Sequence, residues 1–363
     1  MKAVVLTGPK QLTVKDVPNP VSDGKRPIIR VESVGICGSD IHYWVDGEPM
    51  NLIMGHEFSG TVTDPGERKD LKVGDRVSCL GSAPCLECGP CKSGNSLLCE
   101  NKGPSPGIIS PDRIGAYTEY FMPLKSGYLY KLPDHLSFDE AAMVEPACVA
   151  YHTATLGGVT KGSKVLVTGA GLIGAMTMQW CKALGAEKVY FTEVNESRAK
   201  KVLEMGYADV WINEVPGAAE LLDTFAAARP WEQEIASATQ LQKLLGVGLG
   251  FDIALECSAH PSAYNLASAM LHNFATVVWA GVQFTPITIQ MSTLIMRSTT
   301  IKVFLGTSVT DFETALKAIG DGSFPVKQYH TDNATLATTQ QAFEKLTAPG
   351  NAQFKIIVHP QEG

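Results

Sequence analysis

Apolar residues follow two rhythms along this chain. In the first half, short strand-like runs at Met1–Leu6, Ile28–Val34, Phe58–Val62 and Asp75–Leu80 are separated by glycine- and proline-containing turns. Such runs predict a barrel-like β domain. From about Val159 the pattern alternates: a strand at Lys164–Thr168, a glycine turn, helical spacing over Met176–Leu184, then a strand at Lys188–Thr192. Alternation of this kind predicts a parallel sheet, because parallel neighbours need a crossover. Strands at Asp209–Ile212, Asp252–Leu255, Thr276–Trp279 and Ile301–Leu305 would complete an open doubly wound sheet. Phe312–Ile319 then reads as a helix and Phe354–Val358 as a last strand. The interval from Glu214 to Gly250 is long for one crossover and predicts an added helix near Glu232–Leu245. The chain shows no internal repeat and no low-complexity stretch.

At 363 residues the chain is longer than a single hydrophobic core usually supports, so two domains are expected. A composition of 45% hydrophobic and 18% charged residues is that of an ordinary folded protein. The net charge of −7, without a long basic run, argues against nucleic acid; no apolar run is long enough for a membrane helix. A small-molecule partner is favoured. The start, Met1 to Leu6 running into Thr7-Gly8-Pro9, lacks the layout of a secretory signal, so the cytoplasm is the expected location.

Cysteines change the picture more. Of nine, five crowd between Cys79 and Cys99, poor material for pairwise disulfides and good material for a metal. Cys85, Cys88, Cys91 and Cys99, on a Gly/Pro-rich loop, can close a tetrahedron around zinc at roughly 2.3 Å per sulfur with no position left open. That is a structural site. Four unprotected thiols at this density would oxidise readily, and Cys79 reads as a core residue. A second grouping is Gly35-Ile36-Cys37-Gly38-Ser39-Asp40-Ile41-His42, followed by Gly55-His56-Glu57. A catalytic zinc takes about three protein ligands and keeps one open position, and Cys37 with His56 supplies two. The third can be Glu57 or Glu145, the latter lying where the β half gives way to the alternating half. Each residue alone is more often a satisfied structural group than a ligand; together they are a stronger signal.

The run Val165 to Gly174 carries an apolar strand into Gly169-x-Gly171-Leu172-Ile173-Gly174 and then a helix. These glycines permit the tight turn, the close approach of a pyrophosphate and strand–helix packing, while the helix N-terminus favours phosphate charge. Glu193, nineteen residues after Gly174 and at the end of the next strand, can accept the adenosine ribose hydroxyls and repel a 2′-phosphate. NAD is therefore expected over NADP. The alternative for Glu193 is a solvated surface acid, and Arg198 could accept a phosphate.

In this order, the Cys37-Gly-Ser-Asp-x-His42 motif, Gly-His56-Glu57, the four-cysteine lobe, Glu145-Pro and Gly-x-Gly-x-x-Gly resemble the zinc-dependent medium-chain dehydrogenases over nearly the whole chain. The stretch from Cys37 to Trp44 and the presence of Glu145 make it most similar to the sorbitol dehydrogenase branch; butanediol, threonine and galactitol-phosphate dehydrogenases share much of the pattern. The resemblance implies an α/β protein with a GroES-like β-barrel catalytic domain (1–149 and 306–363) and a Rossmann NAD-binding domain (150–305). It implies one catalytic and one structural zinc, hydride transfer from a secondary alcohol to NAD, and a homodimer or homotetramer. Cys37 and His56 carry over as zinc ligands, with Glu57 or Glu145 completing the set directly or through water. Ser39 and His42 carry over as a proton relay, the plainer readings being a turn hydroxyl and a surface histidine. A nonenzymatic or quinone-reductase-like relative would lack these ligands, which are intact. Two departures bear on substrate. Only nineteen positions separate Cys37 from His56, and no arginine follows Arg297, where the branch carries one to contact the polyol. A smaller or less polar diol becomes plausible.

Overall fold

The computed structural model describes residues 1–81, 84–103, 105–108, 114–124, 129–225, 230–283 and 285–362. The chain divides into two compact units, Met1–Cys148 with Gly306–Gly363, and Val149–Leu305. Among the described residues, fifteen strands follow in chain order. The first unit begins with β1 (Lys2–Gly8), β2 (Gln11–Asp16), β3 (Ile28–Gly35), β4 (Glu57–Asp64), β5 (Arg76–Cys79), β6 (Tyr120–Phe121) and β7 (Leu129–Lys131). The second holds β8 (Lys164–Thr168), β9 (Lys188–Thr192), β10 (Val210–Trp211), β11 (Phe251–Glu256), β12 (Leu271–Trp279) and β13 (Thr300–Val303). The chain then returns to the first unit for β14 (His330–Thr335) and β15 (Lys355–His359).

In the first unit a sheet runs β14-β15-β3-β4-β5-β7, with β6 also on β3, and β1 pairs with β2 in a separate hairpin. The C-terminal strand β15 thus lies inside the sheet, parallel to β14 and antiparallel to β3. Its core gathers Val31, Val34, Phe58, Val62, Val77 and Ile356, and Phe58 meets Phe121 edge-on at 5.1 Å. Burying one such side chain contributes about 1.5–3 kcal/mol, so the pattern of apolar positions fixes which face turns inward.

The second unit is a six-stranded parallel sheet in the order β10-β9-β8-β11-β12-β13. Strand order reverses between β8 and β11, and in open sheets of this kind ligands bind at the carboxyl ends of the strands at that switch. Both expected architectures, the GroES-like β domain and the doubly wound sheet, are present. Several expected boundaries differ. The helix expected over Met176–Leu184 starts at Leu172 directly on the glycine turn, because glycine in that turn does not interrupt it. The last sheet strand stops at Val303 and excludes Leu305, and β12 starts five residues before Thr276 across an irregular register. The added helix is Trp231–Leu245, with 226–229 outside the described residues. Strands β2 and β14 went unforeseen: β2 is short and mostly exposed, and β14 is half-buried but polar apart from Ala334, so both carry little apolar signal.

The C-terminal strand is tied to the rest of its unit by charge. Asp139 Oδ1 accepts from Ser33 Oγ at 2.6 Å and from His359 Nε2 at 2.8 Å, its Oδ2 faces His330 Nδ1 at 3.5 Å, and Glu362 lies 4.0 Å from His359 Nδ1. The bond to Asp139 raises the His359 pKa above 6.5 against the effect of burial. Burial pushes Asp139 up, but the bonds from His359 and Ser33 prevail and leave it below 3.8. A raised histidine stabilises fully below its unfolded pKa and loses that contribution as pH rises through the folded value; the lowered aspartate does so in reverse. The pair therefore contributes most between about pH 4 and pH 6.5. His359→Asn should cost about 1 kcal/mol at pH 6 in urea unfolding, with a smaller deficit at alkaline pH. A deficit independent of pH would refute the ion pair.

Candidate functional site

In the first unit, the antiparallel pairing of Gly35 with Glu57 brings the end of β3 beside the start of β4. Cys37, two residues past β3, and His56, one before β4, therefore converge with Glu57. Donor atoms of Cys37, His56 and Glu57 lie within 4.8 Å of one another and could hold a metal ion. His56 and Glu57 are 3% and 1% exposed. Ser39 Oγ donates to Cys37 Sγ at 3.2 Å, and His42 is exposed three residues further along the helix Gly38–Asp46.

Glu145 sits in the first turn of the helix Val144–Gly157, with its carboxylate packed against Gly81, where a Cβ would fall 2.5 Å from Oε1. Burial pushes its carboxyl up to about 7, with His56 pulling it down and Glu57 adding to the rise. The two acids offered by the sequence are thus in one electrostatic neighbourhood, but Glu57 is the one grouped with Cys37 and His56. Although burial disfavours a charged ring, Cys37 and Asp40 outweigh it and raise His56 well above 6.5. A thiol and several carboxyls drawn around one imidazole are a donor set that suits a divalent cation with borderline-soft preferences, such as zinc.

Two residues of this neighbourhood escaped the sequence reading. Asp40 is fully buried: Oδ2 accepts from Tyr117 Oη at 2.6 Å and from the Cys37 amide at 3.2 Å, and Oδ1 stands 3.6 Å from His56 Nδ1. An acid behind a ligating histidine orients the ring. Its sequence signal is local, an acid three residues after Cys37 at a helix start. Lys355, 1% exposed, donates to Ile36 O at 2.7 Å and to Glu57 Oε2 in a very short ion pair. Its only signal is a charge interrupting the apolar run from Phe354 to Val358.

The sulfurs of Cys85, Cys88, Cys91 and Cys99 also lie within 4.8 Å of one another, and none of the four is in a disulfide. The Cys88 amide donates to Cys85 Sγ at 3.4 Å and the Cys85 amide to Cys99 Sγ at 3.1 Å. Amide donors from Glu87 and Cys88 lower the Cys85 thiol to about 6, favouring the thiolate that binds metal. Cys79 is buried in the core, as expected.

In the second unit, β8 ends in Gly169 at φ +90°, where an added Cβ would meet Ser258 Cβ at 2.7 Å. Gly171 is the N-cap of the helix Leu172–Ala183 and has nothing within 4 Å of its missing Cβ, so that side is free for a ligand to approach. Leu172 and Ile173 open the helix, and a Cβ on Gly174 would strike Gly169 O. Glu193 is buried rather than a solvated surface acid: Oε2 accepts from the Ala170 amide at 2.9 Å and Oε1 from the Asn195 amide at 2.8 Å. Arg198 Nη1 pairs with Glu193 at 3.5 Å.

Family models agree with this division of labour. Residues 24–134 match the alcohol dehydrogenase GroES-like domain and 173–321 the zinc-binding dehydrogenase domain. The chain is 33% identical to a sorbitol dehydrogenase of Pongo abelii, over 94% of this chain and 91% of that protein. It is 27% identical to a sorbitol dehydrogenase of Bombyx mori, over 99% and 98%. Among solved structures, 2R,3R-butanediol dehydrogenase from Bacillus subtilis superposes with a TM-score of 0.81 at 25% identity, covering 99% of each chain. Fold and site define a zinc-binding, nicotinamide-linked oxidoreductase. The chain belongs to the zinc-dependent medium-chain alcohol dehydrogenases, in their sorbitol dehydrogenase-like branch.

Lys355 supplies a test of the buried charge. Lys355→Met should destabilise the chelated, metal-free protein by about 3–5 kcal/mol, because Glu57 is left charged and buried without a cation. Adding Glu57→Gln should recover most of it. A loss under about 1 kcal/mol in the single variant would show that the pair does not hold the sheet together.

Proposed function

We propose that the protein oxidises a secondary alcohol group of a polyol or vicinal diol, using two zinc ions per chain and NAD. The observation that carries this reading is the meeting of Cys37, His56 and Glu57 at one strand end. We assign these three as ligands of the catalytic zinc, Glu145 as the supporting carboxylate, and Cys85, Cys88, Cys91 and Cys99 as ligands of the structural zinc. Bound zinc supplies Lewis acidity toward an alcohol hydroxyl, and bound nicotinamide supplies the hydride acceptor. The chain's own part is to hold charge and move a proton. Lys355 fixes one oxygen of Glu57 and leaves the other to the metal, while Asp40 orients His56. Ser39 and His42, three apart and so on one helix face, carry the substrate proton from the site to solvent. In the second unit, Gly169, Gly171, Leu172, Ile173 and Gly174 receive the pyrophosphate. Glu193 supports NAD over NADP, because a buried acid there repels a 2′-phosphate and already occupies Arg198.

Relatives named for sorbitol favour a polyol. The apolar Val303-Phe304-Leu305 stretch and the lack of arginine after Arg297 favour a smaller diol as the second reading. Nine cysteines without a disulfide support a reducing compartment such as the cytoplasm. Metal analysis should return about two zinc per chain, and Cys37→Ala should keep one and lose NAD reduction across a panel of polyols and diols while staying folded. One zinc in the wild type, turnover by the alanine variant, or faster turnover with NADP would each break its part of the reading.

Self-association is supported by the edge strand β13. Val303 of β13 and Leu305 just past it are 67% and 76% exposed. An open apolar strand edge is a pairing template, and we assign it to a second copy of the chain. Sedimentation should show the wild type as a dimer or larger and Val303→Glu shifted toward monomer. A monomeric wild type would remove this assignment.

A further inference from the structure

The dinucleotide reading leaves one fully buried acid without a role. Glu256 is the last residue of β11, next to the point where strand order reverses, and pairs in register with Thr168 of β8 and Trp279 of β12. Its Oε1 accepts three hydrogen bonds, from the Ser258 amide at 2.6 Å, Ser258 Oγ at 2.7 Å and the Ala259 amide at 2.9 Å. Its backbone oxygen accepts from the amides of Ala280 at 2.9 Å and Gly281 at 3.1 Å. A single residue therefore organises the turns that leave both β11 and β12.

The arrangement is tight. Ala259 is held at φ +58°, a left-handed conformation that strains a residue with a Cβ. The hydrogen bonds to Glu256 offset that strain. Oε2 has no hydrogen-bond partner among the described residues and lies against Gly281, where an added Cβ would fall 2.5 Å from Oε2 and 2.5 Å from the Ala259 nitrogen. Gln283 Nε2 donates to Ala259 O at 3.0 Å and Tyr264 Oη to Gly281 O at 2.7 Å, locking the two turns together from outside. Ser258, at the centre of the first turn, backs directly on Gly169 of the glycine fingerprint. Burial raises the Glu256 carboxyl above the ordinary range despite its three donors. A neutral acid or an amide would serve equally well as the acceptor.

In this fold each half of the sheet takes one mononucleotide. Glu193 at the end of β9 marks the adenosine half, so the turns after β11 and β12 border the other. We propose that Glu256 is a positioning residue that pre-forms the nicotinamide wall of the cofactor crevice by locking the turns Cys257–Ala259 and Ala280–Gly281 to each other. The proposal rests on the NAD-linked reading given above.

The test compares NADH with ADP-ribose, which lacks the nicotinamide, on the full chain. Glu256→Ala should weaken NADH binding about tenfold or more and leave ADP-ribose within about twofold. Glu256→Gln, which keeps an oxygen where Oε1 stands, should restore NADH binding. Unchanged NADH affinity in Glu256→Ala would overturn the proposal, as would an equal loss for both ligands, which a merely structural role predicts. Should the alanine variant fail to fold, Gly281→Ala presses a methyl group on the same carboxylate and is read by the same comparison. A wild type that binds neither ligand would instead overturn the cofactor reading, and this proposal with it.

Discussion

A carboxylate that is 1% exposed needs a positive partner, and around Glu57 that requirement shapes the whole first unit. Lys355 meets it from 298 residues away, carried by a strand that enters the sheet beside β3. Its ammonium also caps Ile36 O, in the turn that presents Cys37. One side chain thus fixes the charge of a candidate ligand and the backbone next to another. Replacing the pair with apolar residues could give an equally stable sheet, since buried ion pairs rarely stabilise more than good packing does. What apolar residues could not do is leave one carboxylate oxygen facing Cys37 and His56.

The neighbourhood separates its acids by environment. Glu57 is paired with a lysine, Asp40 with a tyrosine and the Cys37 amide, and Glu145 is raised mainly by burial. Three carboxyls close to one imidazole would repel each other strongly if all were ionised with no cation nearby. A divalent ion relieves that repulsion, which gives the cluster a physical reason to bind metal beyond its ligand geometry.

How legible each part was depends on how local its cause is. The glycine fingerprint and the four-cysteine lobe could be read directly, because their spacing encodes a backbone turn and a tetrahedron within about twenty residues. Cys37 and His56 could be read only as separate motifs; strand pairing supplies their meeting. The choice between Glu57 and Glu145 stayed open in sequence because both acids follow suitable motifs, and only the register of β3 with β4 groups one of them with the other two donors. Lys355 was illegible, since nothing near it in sequence explains a charge in a buried strand. Strands β2 and β14 were missed for a different reason: β2 is short and mostly exposed, and β14 is polar apart from Ala334, so neither carries a strong apolar signal.

Because β15 lies between β14 and β3, the first unit is closed by a segment made after the whole parallel sheet of the second. The ribosome releases the four-cysteine lobe and the whole parallel sheet well before Lys355 emerges. The lobe could fill with zinc early, since its four sulfurs come from one short loop. The Cys37 cluster differs, for until β15 arrives Glu57 lacks its Lys355 partner and β3 lacks its β15 neighbour. Assembly therefore has a built-in order, in which the four-cysteine loop can take its shape before the Cys37 cluster does.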